Sequence, residues 1–356
     1  MKTFVRQLSQ GLALQVSAIG LALLTILPLH SSSLPKELVD ADAKWLFFSD
    51  FNRLRATQTG SFVEKQFLNE AYEEMSASLK FDVKALASKI QWVLAYGTEF
   101  KTGNEGGLPT GVMIIKADAE TQKIVTGLVA AQLLSDTNSP VKQVQTEPYP
   151  LYTIRKDLSA AIQEDGLIVF SKSKEQLDRA TEVRQQKRAS LGKSSKFSDF
   201  PTAPDAFFLM GVAEGFAEGA PVPPQAKVLQ MADGARIILD ERDERLMLEL
   251  ALKGKTQDVV NQMQQVAQGM IALFSLGEPQ DPDLQTLVRS AKVQTKAKVV
   301  SIGIEFPVGR ALERFKDEPR GEQKKSQRKN KANKKNQSEP DSAEPKTPTP
   351  ENEPKF

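Results

Sequence analysis

The chain has 356 residues, no cysteine, a single histidine and 26% charged residues. That composition excludes disulfides, thiol nucleophiles, iron–sulfur ligation and cysteine-based zinc sites, and with His30 in a leader it leaves no imidazole for a triad, a metal site or a proton shuttle. The formal charge of +2 is unevenly spread: residues 1–33 carry +2, 320–337 carry +7 and 338–356 carry −3, leaving −4 on the body, which removes the main support for nucleic-acid binding.

The N-terminus reads as an export signal. Lys2 and Arg6 precede an apolar run from Gly11 to Leu29, and small residues follow, with Ser31 and Ser33 at −3 and −1 of a cleavage point. Residues 1–33 are therefore expected to be a signal peptide, and the body to lie outside the cytoplasm, periplasmic or secreted. The alternative is an uncleaved inner-membrane anchor over residues 11–29, the one route by which the chain would meet the membrane directly. No cysteine follows the apolar run, so a lipoprotein is excluded.

Downstream, Lys44 to Phe48 reads as a strand. Ser61 to Leu79 places Phe62, Val63, Phe67, Leu68, Tyr72, Met75 and Leu79 on one helical stripe. Gln91–Phe100 and Gly111–Lys116 read as strands around a glycine-rich turn at 103–107. Asp118 is placed to cap a helix burying Ile124, Val125, Leu128, Val129 and Leu133. Val141–Arg155 and Leu158–Ser171 read as strands with Asp165-Gly166 as a turn, and Lys174–Lys187 as a charged, exposed helix. Ala189 to Pro204, rich in Ser, Lys and Pro, reads as a linker.

After it the pattern restarts. Asp205–Leu209 echoes Asp42–Leu46, Thr256–Val260 echoes Thr121–Val125, and Val293–Thr295 echoes Val144–Thr146. Arg236–Leu239 and Leu246–Leu252 read as a hairpin turning at Asp240–Arg245. A helix from Thr256 to Phe274 is expected to bury Val259, Val260, Met263, Val266, Met270, Ile271 and Phe274, with glutamines on its other face. An insertion at Asp283–Ala291, a strand at Val299–Phe306 and a short helix opened by Pro307 complete the body. The expected fold is α+β: two tandem antiparallel-sheet-plus-helix halves, 34–200 and 201–319, read as a duplication. Residues 320–356 lack apolar periodicity and read as a disordered tail, basic and then acidic and proline-rich.

Asp157–Ser171, with its Asp165-Gly166 pair before an apolar strand, leads into a helix bearing Glu175, Leu177 and Ala180, then a Ser/Lys linker and a new strand at Phe207. This order resembles exported bacterial domains of unknown function of the DUF3352-like class, over roughly residues 40–215. The resemblance implies the architecture and carries no activity or site residue.

No catalytic, cofactor-binding or metal-binding residue is assigned. The Asp240–Arg245 run is neutralised by Arg242 and Arg245 and reads as a solvated turn rather than a cation or glycosidase site. Ser-x-x-Lys occurs at Ser171–Lys174 and Ser190–Lys193, as chance allows in a chain of this composition. Gly211, Gly215 and Gly219 read as a surface loop, and Trp45, Phe47 and Phe48 as a buried strand. The one candidate contact set is a polyanion tether: Arg320, Lys324, Lys325, Arg328, Lys329, Lys331, Lys334 and Lys335. Its expected partner is an envelope protein or acidic envelope polymer. The expected function is an exported, non-catalytic binding or scaffolding module without cofactors. The alternatives are a carrier of an apolar ligand and a carboxylate-dependent hydrolase of cell-wall or polysaccharide substrates, which needs two acidic groups about 5–10 Å apart.

Overall fold

The computed structural model describes residues 34–79, 81–100, 110–135, 141–145, 149–154, 158–163, 165–215, 231–276 and 281–317. Residues 1–33, expected as a signal peptide, the glycine-rich stretch 103–107, expected as a turn, Gly219 and residues 320–356, expected as a tail, lie outside the described residues. The chain forms two compact units, 1–312 and 313–356; of the second, 313–317 are described and end the last helix.

A 3₁₀ turn at Lys36–Leu38 leads into β1 (Trp45–Asp50), α1 (Phe51–Arg55) and α2 (Gln58–Val63). A π-helical turn, Glu64–Leu68, joins α2 to α3 (Asn69–Leu79), and α4 (Val83–Ser88) follows. Next come β2 (Ile90–Gly97), β3 (Val112–Ala117), α5 (Ala119–Ser135), β4 (Val141–Gln145), β5 (Leu151–Ile154), β6 (Leu158–Ile162) and β7 (Leu167–Ser171). Then α6 (Lys174–Arg184), β8 (Leu209–Glu214), β9 (Ala232–Arg242) and β10 (Arg245–Gly254) follow. The last are α7 (Gln257–Leu276), α8 (Pro282–Ser290), β11 (Lys292–Lys296), β12 (Val299–Pro307) and α9 (Val308–Asp317).

The α+β class holds, and among the described residues the strands form one antiparallel sheet of 12 in the order β11-β12-β10-β9-β8-β1-β2-β3-β7-β6-β5-β4. The two stretches meet where β1 pairs with β8, Phe47 opposite Gly211. Outwards from that pair one side reads β2, β3, β7, β6, β5, β4 and the other β9, β10, β12, β11.

Register explains the layering. Ile304, Leu248, Leu239, Leu209, Ser49, Val93, Ile115 and Ile168 stand opposite one another across eight strands. Over this face lie α1, α3, α4 and α5, which pack Phe51, Leu54, Tyr72, Val83 and Val125 against it. Ser49, the polar member, donates its hydroxyl to the Phe208 carbonyl at 3.0 Å. The opposite face runs Ile238, Met210, Phe48, Leu94, Ile114 and Val169, and α6 and Leu191, Phe200 and Phe207 of the following segment cover it. From β10 outwards this second face turns polar, with Glu249, Gly303 and Lys292 in register. Strands covered on one side only must alternate, which is why Leu246, Leu248, Leu250 and Leu252 point one way.

Local signals set the boundaries. Asp118 accepts the Thr121 amide at 2.7 Å, the expected N-cap, and Asp50, Thr57 and Asp82 cap α1, α2 and α4 in the same way.

Several expectations are corrected. Val141–Arg155 divides into two short strands, β4 and β5, while Leu158–Ser171 forms β6 and β7 about the expected Asp165-Gly166 turn, with Gly166 left-handed (φ 77°). α6 is docked: its charged face hides an apolar stripe of Leu177, Ala180 and Val183, all buried. The linker is fastened to the sheet, with Leu191 and Phe200 buried and Ser190 bridged to Asp40. The turn at Asp240–Arg245 contracts to Asp243-Glu244, both left-handed (φ 49° and 59°) as a two-residue hairpin demands. Asp240 is buried: its carboxylate accepts Arg53 at 2.6 and 2.8 Å and Arg242 at 2.5 Å. Gly211 belongs to β8, not a loop. In β1, Phe48 is buried, while Trp45 and Phe47 are half-buried.

Candidate functional site

α7 carries the clearest departure from ordinary core packing. Its first half is seated on the sheet: Val260, Met263 and Ala267, spaced three and four apart, are buried with Leu252 of β10, Val300 of β12 and Ala232 of β9. Gly254 permits this approach, since a Cβ there would lie 2.8 Å from a Val260 methyl. The same stripe continues at Met270 and Phe274, but there the cover ends, and these side chains are 47% and 48% exposed. Val266, Leu273 and Leu276 beside them are 41%, 71% and 80% exposed. The expected burial of Val266, Met270 and Phe274 is thus corrected. α8 packs on β12, with the Ser290 hydroxyl accepting the Glu305 amide at 3.3 Å, and also contacts α7.

Two properties make this segment distinct. From Val259 to Leu276 there is no charged residue, so nothing in the helix prefers water over an apolar contact except its glutamine face. Burying a Leu or Phe is worth about 1.5–3 kcal/mol, so leaving five large apolar groups open forgoes several kcal/mol that a partner can recover. Beside α7, the row Ile302, Leu250, Ile237, Gly211, Phe47, Ala95 and Met113 crosses the same sheet face in register, and none of its members is buried. Apolarity of α7 was legible in the sequence; what the sequence did not signal is that the second half of its apolar stripe is about half exposed.

The remaining sequence-level candidates are placed as follows. Arg320, Lys324, Lys325, Arg328, Lys329, Lys331, Lys334 and Lys335 lie outside the described residues. Ser171 is structural: its hydroxyl donates to the Gly111 carbonyl at 2.9 Å and accepts the Ser173 amide at 3.0 Å. Lys174 pairs with Asp178 at 2.7 Å instead of approaching Ser171. Ser190 is buried and Lys193 exposed, on a 3₁₀ turn in the segment after α6. An ionic knot around the buried Asp40 joins it and the exposed Asp42 to Arg179 and Arg188 at 2.9–3.1 Å. It pins residues 40–42 to α6, and its carboxylates hold the Arg188 guanidinium above its ordinary pKa although burial opposes the charge. Among the described residues no group of three or more His, Asp or Glu is arranged to hold a metal ion, and no helix is long and apolar enough to cross a membrane.

No family model matches the chain, and no curated protein is significantly similar to it. Among solved structures, three crystal forms of TP0453 align with it. Form III is 9% identical over 79% of this chain and 97% of that one, with a TM-score of 0.42. Form I is 11% identical over 79% and 96% (TM-score 0.41), and form IV 11% identical over 80% and 97% (TM-score 0.43). At these values the likeness assigns neither a fold family nor a function.

Proposed function

We propose that this chain is an exported envelope protein that works by binding rather than by catalysis, and that the uncovered stripe of α7 is its contact surface. The observation that carries this reading is the continuity of one apolar stripe through α7, buried at Val260, Met263 and Ala267 and open at Met270 and Phe274. A helix that only completed a core would end, or turn polar, where its cover ends. The leader-like first 33 residues support export, and the basic 320–337 segment supports an auxiliary, salt-sensitive tether to acidic envelope material. The carrier reading draws on the row through Ile237, Gly211 and Phe47, which offers an apolar ligand a floor.

The test is fractionation of the full chain and of a Met270→Glu/Phe274→Glu variant, each at low and high salt, with N-terminal sequencing. The wild type is expected outside the cytoplasm and with the envelope fraction, the variant released from it, and removal of residues 320–356 to abolish only the salt-sensitive part. Intact protein in the cytosol, or identical partition of wild type and variant, overturns the proposal.

A further inference from the structure

Beside the stripe that seats α7 on the sheet runs a second row of residues, exposed along its length. Val266, Gly269, Leu273 and Leu276 follow one another at intervals of three, four and three residues, which places them on one flank of the helix. All four are exposed, Leu273 and Leu276 most of all, and a Cβ at Gly269 would meet nothing within 4 Å. Such spacing is what one helix offers another, because a side chain every three and a half residues keeps facing a neighbouring helix.

Charge selects the kind of partner. Between Val259 and Leu276 the polar residues are Asn, Gln and Ser alone. Amides donate and accept equally, so they favour neither sign of charge. A helix that lies on a lipid surface carries Lys or Arg on its polar face, and docking to an acidic or basic protein is guided by opposite charge; α7 offers neither. Two copies of this helix, by contrast, meet without like-charge repulsion. Val266, Met270, Leu273, Phe274 and Leu276 together leave on the order of 500 Å² of apolar surface open, more than half of the about 800 Å² that each partner commits to a stable interface.

Symmetry supplies the fit. In an antiparallel pair with its two-fold at the level of Ile271, Leu273 of each copy stands opposite Gly269 of the other, and Val266 opposite Leu276. The exposed leucine enters the space over the glycine twice, large against small, as packed helices interdigitate.

We infer that α7 pairs with α7 of a second copy of this chain, antiparallel and across a two-fold. The inference rests on the reading of α7 as the contact surface and gives that surface its partner.

Sedimentation velocity of the full chain over a wide concentration range tests it, with two variants in parallel. Leu273→Glu places a charge at an exposed position, and Gly269→Gln puts a side chain where the single copy has room, so thermal unfolding of both at dilute protein should show a folded chain. A reversible monomer–dimer equilibrium is expected, with a dissociation constant raised about tenfold or more in either variant. Because the chain has no cysteine, Gly269→Cys and Leu273→Cys report the orientation: a short thiol crosslinker should join the two variants to each other more than either to itself. A wild type that stays monomeric, whether or not it binds phospholipid vesicles, overturns the inference, as does a dimer undiminished in folded variants or crosslinking favoured between equal positions. Monomeric wild type with a Met270→Glu/Phe274→Glu variant still released from the envelope fraction overturns the pairing and leaves the contact surface standing; monomeric wild type with unchanged partition of that variant overturns both.

Discussion

Met263 and Met270 lie two turns apart on one stripe of α7, and the same substitution at each reads out the boundary between core and open surface. Met263 is 1% exposed and packs with Val260, Leu252 and Val300. Met263→Ala removes three buried heavy atoms and leaves a cavity, a change that costs about 2–5 kcal/mol. Met270 is roughly half exposed, so truncation forfeits only about half of a side-chain transfer term of about 1.5–3 kcal/mol, and the higher helix propensity of Ala offsets part of that. The expected cost of Met270→Ala is therefore about 0.5–1.3 kcal/mol, well below that of Met263→Ala. Urea unfolding followed by far-ultraviolet circular dichroism measures both, at dilute protein and at two concentrations so that self-association is seen. An unchanged slope with a large midpoint shift for Met263→Ala and a small one for Met270→Ala is the predicted pattern. If Met270→Ala costs as much as Met263→Ala in dilute monomer, the second half of α7 is core and the reasoning fails.

Three further outcomes follow from named groups. A methyl added at Gly269 in α7 meets nothing within 4 Å, so Gly269→Ala should stabilise the protein by about 0.5–1 kcal/mol in the same urea assay; destabilisation would show that this helix does not stand free. Asp240 in β9 holds Arg53 of α1 bidentately, so Asp240→Ala should cost about 3–5 kcal/mol, while Arg53→Ala/Asp240→Ala costs less than the sum of the singles; strict additivity in the double-mutant cycle would refute the coupling. Burial first, and then the nearby carboxylates of Glu64 and Asp40, raise the phenols of Tyr72 and Tyr96 above their ordinary pKa. Both stay neutral in the folded chain while the unfolded chain ionises near pH 10, so their contribution is complete below that pH and is lost as pH rises above it. Phenolate absorbance during alkaline titration should show a late phase coincident with unfolding and reduced in Tyr72→Phe; early titration of both would contradict the burial.

Sequence by itself determined the elements whose signals are local. The Asp118 cap, the β9–β10 hairpin, the α7 helix with its glutamine face and the alternating leucines of β10 depend on neighbours within a few residues, which one chain displays directly. It also determined the charge asymmetry and the absence of thiols. Tertiary structure alone decided what depends on partners far along the chain. The pairing of β1 with β8 bridges more than 150 residues and makes one sheet of the two stretches. Asp240 reads as a turn residue until β9 lies beside α1 and Arg53 comes within 2.6 Å. Likewise Met263 and Met270 are indistinguishable in an apolar pattern, because periodicity records which side chains share a helix face and says nothing of where the opposing surface stops. Which of them is covered depends on the strands that α7 lies against, Leu252 of β10 and Val300 of β12 among them, so the candidate surface emerges only once the sheet is assembled.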